Sequence, residues 1–288
     1  MQASILTDLL LPLSIGIIMF GLGLSLTMED FRRVARYPFA VGFGLFLQVI
    51  LLPFAALLIA VWLKLSPNHA LGLMLVAAAP GGATANIYSH LAKGDVALNI
   101  TLTAVNSLLA LLTLPIVINL SLEYFFGTGQ YVPPPHRKIV EVAAIILIPV
   151  LIGMFVRARS PDFAKRMEKP IKLFSILVLS ILIFAAIYIE RAKLLDSIVA
   201  VGLACLLFNV VSMLAGYLAP LALKLPERQA IAITMEIGIH NTALAIYVAL
   251  NVLNNPAASL VPGIYTLCMY LTATLFAIYV SKRNVSPA

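Results

Sequence analysis

Charge is what this chain of 288 residues has least of. Its 19 Lys and Arg and 12 Asp and Glu make up 11% of the sequence, against 62% hydrophobic residues and a mean hydropathy of +1.04. Soluble domains carry roughly a quarter charged residues, so a water-facing globule is excluded and the chain is read as an integral membrane protein. A spanning helix takes about 20 apolar residues, which leaves no length for an independent extramembrane enzyme or DNA-binding module. Cysteine is nearly absent as well. Cys205 and Cys268 stand in apolar runs with no CxxC spacing, which argues against a disulfide or a metal-ligand pair. The opening stretch MQASILTDLLLPLSIGIIMF lacks a basic leader and a cleavage site before a soluble domain; it is read as a first span and not as a signal peptide.

What is present is a series of apolar stretches bounded by charge, Pro or polar clusters. They predict nine helices, over 9–27, 39–63, 69–92, 96–122, 139–157, 171–189, 195–222, 227–250 and 259–281. An odd number puts the termini on opposite sides. Fourteen of the 19 basic residues then fall on the side of Arg32, Lys93, the 157–172 segment, Lys224, Arg228 and the C-terminus, and five on the other. The positive-inside bias places the N-terminus outside and the C-terminus in the cytoplasm. The net charge of +7 is thereby explained as an orientation signal, with contacts to membrane lipid and no role for nucleic acid.

Two spans are interrupted. The third carries Pro80-Gly81-Gly82 at mid-depth, and the eighth carries Glu236-Ile237-Gly238-Ile239-His240-Asn241. Unwound backbone in lipid survives only where protein or a water-filled site surrounds it, so paired interruptions point to a transport site. The pair also falls within a weak internal repeat. The stretch around Gln48 resembles that around Asn209, 161 positions on, and Asn86 answers Asn241, 155 positions on. Helices one to four thus map onto six to nine, and a step of five helices inverts their orientation. An inverted-topology repeat is the architecture of alternating access.

Glu236 is the sharpest single feature, because a carboxylate about ten residues from either helix end costs on the order of 3 kcal/mol or more unless compensated. A protonated Glu that only packs the bundle is the bland reading, and no predicted span offers a central Lys or Arg as partner. A cation or a proton is the remaining counter-charge. Around it stand hard oxygen donors: Gln48, Thr84, Asn86, Asn99, Thr101, Thr103, Asn106 and Thr242. Asn99, Thr103 and Asn106 share one face of the fourth helix. Such donors suit Na⁺ better than a transition metal, although Ser, Thr and Asn also join membrane helices by hydrogen bonds. His240, four residues after Glu236, would share its helix face; it reads equally as a satisfied core histidine and as a ligand or proton carrier.

Taken together, Gly16 to Leu24 with Asp30-Phe31, Gln48 and Pro53, Pro80-Gly81-Gly82 through Asn86, Leu91 to Leu98, and Glu236-Ile237-Gly238 with Asn241 resemble the bile acid:sodium symporter family, in its nine-helix form, over essentially the whole chain. The resemblance implies an all-α polytopic fold in which a panel of helices 9–27, 139–157 and 171–189 rocks against a core of the other six. It implies one sodium site at Asn86, Asn99, Thr103 and Glu236. A second would use Gln48, Glu236, the carbonyls of Ile237 and Ile239, and His240. Two positions depart from the family pattern, Ala85 where Ser is usual and His240 where Gln is usual, and they bear on whether one or two Na⁺ bind.

The implied function is sodium-coupled symport, with no enzymatic activity, of a small organic anion: a carboxylate such as pantoate, ketopantoate or pyruvate, or a bile-acid-like anion. The expected setting is a cell membrane of the bacterial inner-membrane type. Thr84 and Asn241, with Ala83 and Asn209, are the expected substrate contacts at the N-terminal ends of the half-helices. Proton coupling through Glu236 and His240 is the alternative. A membrane-embedded enzyme is disfavoured by the absence of an HExxH motif or paired intramembrane carboxylates, and a channel would be excluded by saturable, gradient-coupled flux.

Overall fold

The computed structural model of the chain describes residues 11–127, 136–167, 169–171, 173–174, 177, 181 and 194–282. Among the described residues all regular structure is helical, as a lipid environment requires of open segments, apart from one isolated β-bridge. In chain order the helices are α1 (Leu11–Ser25), α2 (Met28–Arg32), α3 (Pro38–Phe46), α4 (Leu52–Trp62), α5 (Pro67–Ala78), α6 (Ala83–Leu91), α7 (Val96–Phe126), α8 (His136–Arg159), α9 (Leu194–Ala222), α10 (Glu227–Gly238), α11 (Thr242–Tyr247) and α12 (Pro256–Ser281). A π-turn at Leu47–Leu51 joins α3 to α4, and another at Val248–Val252 extends α11.

Four continuous helical stretches, over 38–62 (α3, the π-turn and α4), 96–126, 201–222 and 256–281, are long and apolar enough to cross a membrane. This is a multi-pass membrane protein. The stretch expected as the first span, 9–27, is helical over Leu11–Ser25 and bends by 69° into the segment that reaches Ala35. At the bend the Thr27 N–H and hydroxyl both donate to Asp30 Oδ2, at 2.6 and 2.7 Å, and Arg33 pairs with the same carboxylate at 2.7 Å. The expected sixth span, 171–189, lies almost entirely outside the described residues, as do residues 9 and 10 of the first.

The ends of the helices are written locally. Ser66, Asp95 and Asn255 accept from the backbone three residues on, as N-caps do. Lys64, Lys93, Lys224 and Asn254 take the left-handed conformation just past helix ends, where Gly or Asn is the usual residue.

Packing is inverted relative to a soluble protein. Leu112, Leu120, Val199, Leu267 and Leu271 are each at least 60% exposed, while Asn99, Thr103 and Asn209 are fully buried. Helix α9 packs on α10 and α12, and α5 on α7 and α12. Helices α1 and α8 pack mainly on each other. Gly23 lies against the Val150 backbone and Gly153 against the Phe20 carbonyl, each with no room for a Cβ. A small cluster of Leu24, Ala164 and Ile171 adjoins this pair, separate from the main core. Gly153→Leu is expected to pry the two helices apart at a cost of about 1–3 kcal/mol, read as a lower unfolding temperature in detergent.

Candidate functional site

Helix α5 stops where Pro80 brings no N–H, and α6 starts at Ala83. The second break needs no proline. Helix α10 ends at Gly238, Ile239 is extended, and Asn241 caps α11 by accepting from the Leu244 N–H at 3.1 Å. The Asn241 N–H donates to the Pro80 carbonyl at 2.8 Å, and Gly81 and His240 form the single antiparallel bridge. The two unwound segments therefore cross side by side, each supplying polar groups that the other needs. In a continuous helix the Asn241 N–H would serve the Ile237 carbonyl; here it serves the other break.

Two buried amides hold the carbonyls near the breaks. Gln48 Nε2 donates to the carbonyls of Ala77 and Ala79, both at 3.1 Å. Asn209 Nδ2 donates to the Gly238 carbonyl at 2.7 Å and to the Tyr265 hydroxyl at 2.8 Å.

Glu236 sits one half-turn before the second break and is 1% exposed. Its Oε2 accepts from Thr103 Oγ1 at 2.5 Å, and its Oε1 has no partner. The Asn106 side chain and the Gly81 backbone flank the carboxyl. The carboxyl fits because Gly81 has no side chain: a Cβ there would lie 2.5 Å from Glu236 Cδ. The Thr103 hydroxyl has a single proton, yet three oxygens surround it: Glu236 Oε2, the Asn99 carbonyl at 3.0 Å and Asn86 Oδ1 at 3.5 Å. Asn99 donates Nδ2 to the Ala232 carbonyl at 2.7 Å, leaving its Oδ1 buried and unpartnered. The bare acceptors of the cluster, Glu236 Oε1 and Asn99 Oδ1, outnumber its one bare donor, Asn106 Nδ2. A desolvated hard cation supplies what such a cluster lacks.

The remaining expected site residues are distributed differently. The prediction that His240 shares a helix face with Glu236 is overturned, because the helix has already ended at Gly238. The His240 ring instead packs against Phe208 and Tyr265, with Nδ1 2.9 Å from the Tyr265 hydroxyl and Nε2 buried without a partner. Gln48 lies on the first break, its Oε1 also unpartnered. Ile237, in the last turn of α10, and Ile239, in the second break, are both buried. Thr84 is half-buried beside the Tyr270 hydroxyl. Ala83 begins α6, and its side chain lies outside the described residues. Asn209 has every polar atom engaged, since its Oδ1 accepts from Thr272. Sequence reasoning missed Gly81 as a packing requirement and Tyr265 as the partner of His240. The signal for Tyr265 was available, since a tyrosine in mid-span must bury a hydroxyl that needs a partner. Among the described residues no group of three His, Cys, Asp or Glu is placed to hold a metal ion.

The profile of the Sodium Bile acid symporter family matches residues 12–198. The chain is 29% identical over 272 residues to an uncharacterized sodium-dependent transporter of Bacillus subtilis (strain 168), covering 93% of this chain and 82% of that protein. It is 28% identical over 284 residues to a probable chloroplastic sodium/metabolite cotransporter of Oryza sativa subsp. japonica, covering 97% and 65%. A sodium-dependent organic anion transporter of Homo sapiens is 26% identical over 231 residues, covering 80% and 61%. The chain thus spans just under two thirds of the length of the plant and human proteins.

Proposed function

The chain belongs to the Sodium Bile acid symporter family, and from that premise we propose that it is a secondary transporter coupling Na⁺ entry to movement of a small organic anion. The observation that carries this reading is the acceptor-rich cluster at the crossing: a buried carboxyl with one bare oxygen beside Thr103, Asn86 and Asn99. These four residues form the first sodium site. The second draws on the unpartnered Gln48 Oε1 and His240 Nε2, Glu236, and the carbonyls of Ile237 and Ile239. The anion, a small carboxylate, is held by Thr84 and Asn241 with the backbone of Ala83, where α6 and α11 begin. Asn209 serves the scaffold of this site through its bonds to Gly238 and Tyr265.

Alternating access rests on an inverted repeat, and matched details support it. Gln48 and Asn209 stand 161 positions apart, and so do the carbonyls they hold, Ala77 and Gly238. Lys64 and Lys224 stand 160 apart and Lys93 and Asn254 stand 161 apart, all four in the left-handed conformation. The N-caps Asp95 and Asn255 are 160 apart; the first bonds to Arg228 and the second to Asn68, again 160 apart. Helices α1 and α8, with 171–189, form the panel that rocks against this core. The protein lies in the cell membrane with its N-terminus outside. Proton relay between Glu236 and His240 has less support, because the imidazole is paired to Tyr265.

The test is accumulation of labelled carboxylates in proteoliposomes. An inward sodium gradient is expected to drive uptake above equilibrium, and accumulation indifferent to that gradient would sink the reading. Uptake driven by a pH gradient in sodium-free buffer would favour proton coupling instead.

A further inference from the structure

We infer that Tyr265 is a positioning residue that sets the tautomer of His240, so that the imidazole carries its proton on Nδ1 and keeps a bare electron pair on Nε2 at the crossing of the broken helices. The consequence for ion binding rests on the sodium reading of His240 above.

The proton count begins at Asn209. The Gly238 carbonyl can only accept, so the group 2.7 Å from it is the Asn209 amide nitrogen, not its oxygen. The second proton of that nitrogen goes to the Tyr265 oxygen at 2.8 Å, and Asn209 Oδ1 accepts from Thr272. The Tyr265 hydroxyl has one proton and two lone pairs, and three neighbours: Asn209 Nδ2, the Gly238 carbonyl at 3.1 Å and His240 Nδ1 at 2.9 Å. Asn209 occupies one lone pair. If the hydroxyl proton goes to Gly238, the second lone pair accepts from Nδ1–H and every valence is used.

In the other arrangement the hydroxyl donates to Nδ1 and the ring proton moves to Nε2. That N–H would be buried, with His240 2% exposed, and would have no acceptor. An orphaned buried donor is rarer and costlier than an underused acceptor. The Nδ1–H tautomer therefore wins. It leaves Nε2 as an uncharged electron-pair donor, which a cation can use and a hydrogen-bond acceptor cannot. The first half of the chain has no equivalent device: the position 161 before Tyr265 is Ala104, and Gln48 holds its carbonyls without a phenol.

The experiment is ¹⁵N NMR of the full-length protein in detergent with labelled histidine side chains, the His240 signals being assigned by their loss in His240→Gln. The expected wild-type spectrum has His240 protonated at Nδ1 and unprotonated at Nε2, and added NaCl moves the Nε2 resonance selectively. In Tyr265→Phe the two tautomers mix, and the sodium concentration giving half-maximal thermal stabilisation rises about tenfold. A wild-type ring protonated at Nε2 overturns the inference without any variant, and so does a Tyr265→Phe spectrum with the tautomer unchanged. A wild-type Nδ1–H ring that relaxes in Tyr265→Phe but ignores sodium upholds the tautomer assignment and removes His240 from the sodium site.

Discussion

Glu236→Gln is expected to abolish sodium-driven accumulation, by about 100-fold or more, in a protein that still folds. The two side chains have the same shape, and the amide oxygen can keep the hydrogen bond from Thr103. What changes is charge and donor count. Removing one partner of a buried charge pair costs roughly 2–5 kcal/mol, and each 1.4 kcal/mol is tenfold in affinity, so sodium binding falls by about 30- to 4,000-fold. The new NH₂ group meanwhile enters a cluster whose oxygens outnumber its donors. Stability without sodium should therefore be unchanged or higher in the variant. Sodium at 100 times its dissociation constant stabilises the wild type by about 2.7 kcal/mol, and that increment disappears in Glu236→Gln. The check is paired thermal unfolding in NaCl and in choline chloride, alongside uptake in proteoliposomes. A variant that keeps its sodium-dependent stabilisation would show that the carboxylate is not the ion's ligand.

Much of this site was legible in the sequence, because its chemistry conflicts with its surroundings. A carboxylate in an apolar run and a Pro-Gly-Gly at mid-span are local violations, visible without a fold. The expected grouping of Asn86, Asn99 and Thr103 with Glu236 is observed in part as direct contact: Thr103 touches the carboxyl and lies near Asn86, and Asn99 contributes its backbone carbonyl to the same hydroxyl. Helical periodicity failed at His240. An i, i+4 argument assumes an unbroken helix, and Gly238 ends this one two residues early because the Asn241 N–H is drawn to Pro80. That bond joins positions 161 apart in the chain and has no local signature.

Asn209 and Tyr265 belong with His240 as long-range effects. Sequence pattern marked Asn209 as polar in an apolar helix, which fits a substrate contact as well as a carbonyl clamp. Only the geometry of the Gly238 carbonyl separates the two, since three bonds leave Asn209 no free polar atom. The helix ends were more readable. Asp95, Ser66 and Asn255 act within three residues of themselves, so their roles follow from residue type and position alone. The sixth span was inferred from hydropathy, which sets length and burial and carries no information on contacts, and its place in the panel came from the family resemblance alone.

Gly81→Ala is expected to be nearly as damaging as Glu236→Gln, by a different route. Gly81 is not needed for backbone freedom, since the only glycine with positive φ among the described residues is Gly127. It is needed for space, because an added Cβ would sit 2.5 Å from Cδ and 2.6 Å from Oε2 of Glu236. Neither side can yield cheaply: Gly81 is fixed by its bridge to His240, and the carboxyl by Thr103. Overpacking of this kind costs about 1–3 kcal/mol of stability, and displacing the carboxyl from Thr103 should lower sodium-coupled uptake by about 30-fold or more. Gly82 is the internal control. It has extended backbone, and a Cβ there would meet nothing within 4 Å, so Gly82→Ala should stay within about twofold of wild type in stability-limited expression. The cause is separable by a double-mutant cycle. If the Gly81→Ala defect is collision with the carboxyl, then adding Glu236→Ala removes the obstacle and restores thermal stability while transport stays absent. Stability losses that simply add would place the Gly81 requirement in the crossing backbone itself, leaving the carboxyl free of it.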